Sequence, residues 1–293
     1  MKSGFVSILG RPNVGKSTLL NGILKHKVSI VTDKSQTTRN VIKGIYHKDD
    51  VEIVFLDTPG IHKPHAKLGE EMNKSAYSAA HDVDLSILVV DASKPFGEGD
   101  EYIVSHLDIL NKPLIVVFNK IDEARLDKTE ILKTKYRELF PNATFIDTVA
   151  TEKFNFDLLV NTIISFLPEG PFFYEEEDIT DKDLVFQIKE IIREQVLKIL
   201  RDEVPHSIAI YMNDISWESN PVNIQATIFV EKDSQKGIVI CNKGKRIKLI
   251  GSKARTNIEA LLKKHVYLEL FVKVQEDWRN DYQLLETFGY KQK

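Results

Sequence analysis

The eight residues Gly10-Arg11-Pro12-Asn13-Val14-Gly15-Lys16-Ser17 restrict this chain more than any other stretch. They follow an apolar run over residues 5–9 that reads as a buried strand. They precede Thr18-Leu19-Leu20-Asn21, which opens a helix. Strand, glycine-bounded loop, Lys-Ser and helix in that order form a phosphate-binding P-loop. The loop turns backbone N–H groups toward one point, and the helix N-terminus adds partial positive charge there. In such a loop Lys16 reaches the β- and γ-phosphates, and the Ser17 hydroxyl is placed for Mg²⁺. An ordinary glycine turn before a helix has no need of the full spacing.

The first half continues in the same rhythm. Residues 51–56, 85–90 and 114–118 are short, near-continuous apolar runs, the pattern of strands buried on both faces. Helical spacing over residues 68–80 puts Leu68, Met72, Ala76 and Ala79 on one face, and a last helix is predicted over residues 155–167. This alternation predicts an α/β fold with a doubly wound, mostly parallel sheet, the loops at its strand ends carrying the ligand. Pro168-Glu169-Gly170-Pro171 breaks the pattern, and the acidic run Glu175-Glu176-Glu177-Asp178 follows. A linker is therefore placed over residues 169–181, between a nucleotide domain over 1–168 and a second domain over 182–293. The acidic run reads as a solvated stretch and is assigned no site.

Composition narrows the setting. A chain of 293 residues has room for two domains of ordinary size. No apolar run approaches the roughly 18 residues needed to span a bilayer. The first strand begins almost at the N-terminus, leaving no room for a signal peptide. One cysteine, Cys241, excludes an intramolecular disulfide and a zinc cluster. Together these features point to the cytoplasm. A net charge of −3 gives no whole-chain sign of a polyanionic partner, so the distribution of charge has to be read instead.

Three further segments complete the P-loop. Asp57-Thr58-Pro59-Gly60 ends the run over 51–56. An aspartate there is placed to bind Mg²⁺ through water, and the Gly60 N–H to meet a γ-phosphate. Asn119-Lys120-Ile121-Asp122 ends the run over 114–118. The Asp122 carboxylate can accept from N1–H and the 2-amino group of guanine. Adenine offers neither donor, and sites of this design reject the wrong ligand by roughly 10⁴ or more. Between P-loop and Asp57 lies the polar stretch Ser35-Gln36-Thr37-Thr38-Arg39. One of its threonines can give Mg²⁺ a hydroxyl while a γ-phosphate is present and release it after hydrolysis.

As a set, Gly-x-Pro-Asn-x-Gly-Lys-Ser-Thr, Thr-Thr-Arg, Asp-Thr-Pro-Gly and Asn-Lys-x-Asp resembles the Era branch of the translation-factor-related GTPases. The resemblance implies GTP and GDP as ligands, with hydrolysis of GTP. It implies nucleotide contacts from Gly10, Arg11, Pro12, Asn13, Val14, Gly15, Lys16, Ser17 and Thr18. To these it adds Asp57, Thr58, Pro59, Gly60, Asn119, Lys120 and Asp122. It points to Thr38 as the threonine on Mg²⁺, beside Ser17 and Asp57, so that Lys16, Thr38, Asp57 and Gly60 carry the catalytic roles. The P-loop asparagine, here Asn13, binds K⁺ in some relatives. Two positions need comment. Ile61 stands where Ras-like enzymes carry a water-orienting glutamine, so unaided hydrolysis is expected to be slow; Era-like proteins share this replacement. The base-binding loop, usually Ser-Ala-x, reads Val149-Ala150-Thr151, which leaves the Ala150 N–H to meet guanine O6.

The second half carries a different signal. Residues 236–264 hold nine lysines and arginines against one acid, Glu259, the electrostatic footprint of phosphate-backbone binding. From charge alone, a solvated helix face explains the run slightly better. The predicted order is a helix over 182–201, strands over 207–214 and 222–231, a short segment over 236–242, a helix over 245–264 and a strand over 267–274. That order resembles a KH domain of the bacterial type, whose Gly-x-x-Gly turn lets a nucleic-acid backbone come close. Here the turn reads Cys241-Asn242-Lys243-Gly244, followed by Lys245, Arg246 and Lys248. The first glycine is a cysteine, whose sulfur is expected to crowd the sugar-phosphate path.

With these segments the resemblance covers nearly the whole chain. It implies binding to the 3′ end of small-subunit ribosomal RNA, a part in assembly of the small ribosomal subunit, some association with the inner membrane face, and a monomer. Other readings stand beside it: an RNA-binding module whose nucleotide is never turned over, a relative that modifies tRNA or binds ribosomes through tandem GTPase domains, and a kinase or other ATP-user. One P-loop followed by a KH-like half speaks against the tRNA-modifying and tandem relatives, and Asp122 against the ATP-user.

Overall fold

The computed structural model describes residues 1–106, 112–200 and 204–291. It divides into two compact units. The first is built from Met1–Val31, Thr38–His65 and Gly69–Asp181; the second from Lys182–Lys293 with Thr32–Thr37 and Ala66–Leu68.

The first unit runs β1 (Lys2–Leu9), α1 (Lys16–Leu24), β2 (Ile42–Lys48), β3 (Val51–Asp57), α2 (Lys67–His81), β4 (Leu85–Asp91), α3 (Glu98–His106), β5 (Leu114–Asn119), α4 (Leu126–Leu139), β6 (Thr144–Thr148) and α5 (Phe156–Phe166). The six strands form one sheet in the order β2-β3-β1-β4-β5-β6. All neighbours are parallel except β2, which pairs antiparallel with β3. Alternation along the strands explains the near-continuous apolar runs. Ile87 and Val89 of β4, with Ile115 and Val117 of β5, join a core with Leu19, Leu20 and Ile23 of α1 and Leu159 and Ile163 of α5. Leu88, Val90, Val116 and Phe118 face the other way, onto Ala76 of α2, Ile103 of α3, and Leu132 and Tyr136 of α4. Both faces are covered, as a parallel sheet requires.

Residues 169–181, read from sequence as a linker, lie along the open edge of this sheet. The Glu52 carboxylate, fully buried, accepts from the N–H groups of Phe173 and Tyr174 at 2.9 and 3.0 Å. Ile45 N–H donates to Ile179 O at 2.9 Å, and Thr180 Oγ1 to Lys43 O at 2.7 Å. The acidic residues Glu175, Glu176, Glu177 and Asp178 stay exposed.

The second unit runs α6 (Leu184–Ile199), β7 (Ala209–Ser216), β8 (Val222–Val230), α7 (Asp233–Ile240), α8 (Lys245–Leu262), β9 (Val266–Val274) and α9 (Tyr282–Thr287). The sequence-predicted end of the first helix, Arg201, lies outside the described residues. Asp183 caps α6 by accepting from Phe186 N–H at 2.8 Å. The sheet is β7-β8-β9, with β7/β8 antiparallel and β8/β9 parallel. Its core follows two periods. Ile188, Ile192 and Val196 of α6, and Ile250, Ala254 and Ile258 of α8, recur every four residues and are fully buried. Ile224, Ala226 and Ile228 recur every two along β8 and are equally buried. Trp278 closes one end, its indole N–H donating to Ser207 O at 3.0 Å.

Candidate functional site

The phosphate end of the first unit lies where β1 and β3 deliver their loops. α1 starts directly after Gly15, whose φ is 102° and which no side chain caps, so the first helical amides stay available to an anion. A Cβ on Gly15 would lie 2.3 Å from Asn119 Nδ2, and one on Gly60 would lie 2.7 Å from the Pro12 backbone. The two glycines therefore let the 57–60 loop and the base-side loop close on the P-loop.

Lys16 is buried, and its ammonium donates to Gly10 O at 3.1 Å and Arg11 O at 2.9 Å. Burial pulls its pKa down to about 8, partly opposed by the Asp57 charge. Burial likewise pushes the Asp57 carboxyl up, against hydrogen bonding from Ser29, the Lys16 charge and hydrogen bonding from Ser17. A nucleotide's phosphates would give Lys16 the counter-charge it lacks.

Three oxygens named from sequence come together beside it. Ser17 Oγ donates to Asp57 Oδ2 at 2.7 Å and lies 2.9 Å from Thr38 Oγ1. Since Ser17 has one hydroxyl proton, Thr38 is the donor in that second bond. Ser29, which sequence reading missed, also donates to Asp57 Oδ2, at 2.6 Å. Asp57 Oδ1 is buried without a hydrogen-bond partner. Two hydroxyls, one carboxylate and an unsatisfied oxygen suit Mg²⁺, which takes few protein ligands and completes its shell with water and phosphate. Among the described residues no cluster of His, Cys, Asp and Glu could hold a metal by itself.

Around this centre Thr58 Oγ1 donates to Ile8 O at 2.7 Å and Ile61 N–H to Gly10 O at 3.1 Å. The Ile61 side chain is fully buried in the core beneath α2 and α3. Its position is a packing position. His62, the next residue, places Nδ1 2.9 Å from Gly60 O.

The base end is prebuilt. Asn119 Nδ2 donates to Val14 O at 2.8 Å, while its Oδ1 accepts from Ala150 N–H at 2.9 Å and Thr148 Oγ1 at 3.2 Å. One buried amide thus ties the P-loop to the loop after β6. Lys120 Nζ donates to Asn13 O at 2.9 Å and to Asp91 Oδ2 at 2.7 Å. Burial would raise the Asp91 pKa, but Lys120 and Ser93 hydrogen bonding outweighs it and holds the carboxyl low. Asp122 is exposed and makes no hydrogen bond among the described residues, so both its oxygens are free to accept. Asn13 is also exposed, at φ 64°.

In the second unit α8 starts after Gly244, at φ 74°, again with no side-chain cap. Asn242, Lys243, Lys245 and Lys248 are exposed there, and Arg246 is half-buried. A groove of about 350 Å³ runs between α8 and the edge strand β9. Lys248, Gly251, Ser252 and Arg255 form one wall and Tyr267, Leu268, Glu269 and Leu270 the other. Tyr267 is 56% exposed, a ring open to stacking by a base. The sequence reading counted Arg255 in the basic run without assigning it to the site, and it gave the β9 wall no role, although Lys248 and Arg255 are seven apart on one helix face. Cys241 sits at φ 59°, ψ 179°, a conformation that is essentially glycine's. It lines a different cavity, with Ile199, Val204, Ile238, Lys245, Arg246 and Leu249.

A doubly wound sheet whose loops gather uncapped amides, a Ser–Thr–Asp oxygen cluster and an unpaired base-side carboxylate makes the first unit a P-loop GTPase. Comparison with known proteins is more specific. The family described as 50S ribosome-binding GTPase matches residues 5–120, and the KH domain family matches residues 203–279. A crystal structure of Era in complex with MgGDPNP and nucleotides 1506–1542 of 16S ribosomal RNA is 40% identical, over 100% of both chains, with a TM-score of 0.95. The crystal structure of a point variant of Aquifex aeolicus Era bound to GDP·AlF4⁻ is 40% identical over the same extent, with a TM-score of 0.94. The chain belongs to the Era family of GTPases.

Proposed function

We propose that this chain is a GTP-hydrolysing switch that binds the 3′ end of small-subunit ribosomal RNA and assists assembly of the small ribosomal subunit. What carries the reading is the presence, in one chain, of the prebuilt guanine-nucleotide site and the basic α8–β9 groove. An Era structure that matches it from end to end was crystallised with MgGDPNP and a 16S RNA segment.

In this reading the P-loop amides and Lys16 bind the phosphates and stabilise the charge that develops as the γ-phosphoryl group leaves. Ser17 and Thr38 would hold Mg²⁺ directly and Asp57 through water. The ion, when bound, neutralises phosphate charge. Gly60 N–H meets the γ-phosphate, so the 57–60 loop and Thr38 sense whether that group is present. Asp122 selects guanine, with the Ala150 N–H on O6. No side chain acts as nucleophile or general base. Because the Ile61 side chain is committed to the core, attack by water is slow until something else orients it. Asn13 is the candidate ligand for K⁺; turnover that is indifferent to replacing K⁺ by Na⁺ removes that role.

Cys241, Asn242, Lys243, Gly244, Lys245, Arg246 and Lys248 contact the RNA backbone, and the α8–β9 groove takes bases. The protein works as a monomer in the cytoplasm, with some of it on the inner face of the membrane. The direct test is a footprint of the protein on small-subunit RNA with GTP analogue, with GDP and without nucleotide. Protection near the 3′ end that depends on nucleotide supports the reading, and protection that ignores it leaves only a binding module.

A further inference from the structure

Asp57 receives two hydroxyl protons on one oxygen, and only one of the donors belongs to the P-loop. The other, Ser29, lies in the apolar run Val28-Ser29-Ile30-Val31 and is 1% exposed. A hydroxyl buried among such neighbours has to be paired, and this one is, at 2.6 Å from Asp57 Oδ2. Its backbone is gripped from both sides by one side chain. Asn21 Oδ1 accepts from the N–H groups of Val28 and Ser29, both at 3.0 Å, and Asn21 Nδ2 donates to Ser29 O at 2.7 Å. Asn21 stands one helical turn after Ser17 on α1, so the helix that presents Ser17 also sets where Ser29 stands.

We propose that Ser29, held by Asn21, is a positioning residue that orients the Asp57 carboxylate toward Mg²⁺. The inference rests on reading Ser17, Thr38 and Asp57 as the metal site. A Ser17 oxygen that takes a cation does so through a lone pair and can still donate to Asp57 Oδ2, but its place then follows the metal. The Ser29 bond, anchored by Asn21, is the one that fixes the rotation of the carboxylate independently of it. The opposite oxygen, Oδ1, is the buried and unpartnered one. Ser29 thus occupies one side of the carboxylate and leaves the other for the metal's water. Ser29 itself is bonded to Asp57 and Asn21, so its effect reaches the nucleotide through the metal site.

The test is the release of a fluorescent GDP from the full chain as a function of free Mg²⁺. In the unaltered protein Mg²⁺ slows release. Ser29→Ala shifts the Mg²⁺ concentration for half-effect upward by about 10- to 100-fold, the cost usual for losing a group that orients a metal ligand. Release in EDTA stays as in the unaltered protein. Ser29→Thr keeps the hydroxyl and restores the dependence. Asn21→Ala shifts it in the same direction, and the double variant adds nothing to Ser29→Ala. An unshifted Mg²⁺ dependence in Ser29→Ala overturns the proposal, as does a change of release that is equal with and without Mg²⁺. If release from the unaltered protein ignores Mg²⁺, the metal site itself has been misread.

Discussion

Two helices of this chain, α1 and α8, begin alike and are used differently. Each follows a glycine in the left-handed region, and neither has a side-chain cap. Around Gly15 there is no room, with Asn119 Nδ2 2.3 Å from where a Cβ would stand. Around Gly244 the first atom met is Ile247 Cγ2, at 3.8 Å. The first helix start lies in a closed cradle where the Asn119 amide and the Lys16 ammonium are buried and already paired. The second is an open lip among exposed lysines. A cradle selects, because a wrong ligand leaves buried groups unpaired; a lip accumulates many weak, screened attractions.

Variants at the cradle should therefore show large, ligand-specific losses. Asp122→Asn should cost the greatest, lowering GTP affinity by about 10³-fold or more and shifting preference toward a 2-oxo purine, whose oxygen accepts from the new amide. Competition between guanosine and xanthosine nucleotides measures it, and retained guanine preference would break the comparison. Lys16→Ala should reduce turnover by about 10²- to 10³-fold, because the leaving phosphoryl charge loses its nearest cation. Single-turnover phosphate release reads this, and retained turnover would move the site elsewhere.

At the lip, effects should be graded and salt-dependent. Tyr267→Ala should weaken RNA binding by about 1–3 kcal/mol if a base stacks on the ring. Arg255→Ala should lower the slope of log K against log salt by about 1. A loss in Arg255→Ala that does not vary with salt would mean the groove selects as a cradle does. Cys241→Gly should give the smallest change: about 1 kcal/mol more stability from relieved backbone strain, with a slight gain in RNA affinity. A melting curve and a titration separate the two, and unchanged affinity would remove Cys241 from the backbone path.

Legibility in the sequence followed the same division. Cradle residues are contiguous in short motifs, because one loop after one strand must present them together. Gly10 to Thr18, Asp57 to Gly60 and Asn119 to Asp122 could thus be read without coordinates. Ser29 and Asn21 could not, since a serine among valines and isoleucines carries no periodic mark. The second wall of the groove lies on β9, which returns beside α8 only in the folded chain. Of the elements, β2 escaped notice because Gly44 and the mixed residues around it break strand alternation. The helix α4 escaped because it buries only Thr129, Leu132 and Tyr136, while Leu126 and Ile131 point outward.

The strap of residues 169–181 has a consequence for how the molecule keeps to itself. Pairing Ile45 with Ile179 and Gly44 with Thr180 covers the middle of the β2 rim with the chain's own backbone, which leaves less of that edge as a template for another strand. The small sheet is treated the opposite way. Among the described residues its β9 edge pairs with no further strand, and it carries the charges of Glu269 and Lys273. One border of the protein is partly hemmed by its own chain and the other is bordered by charge.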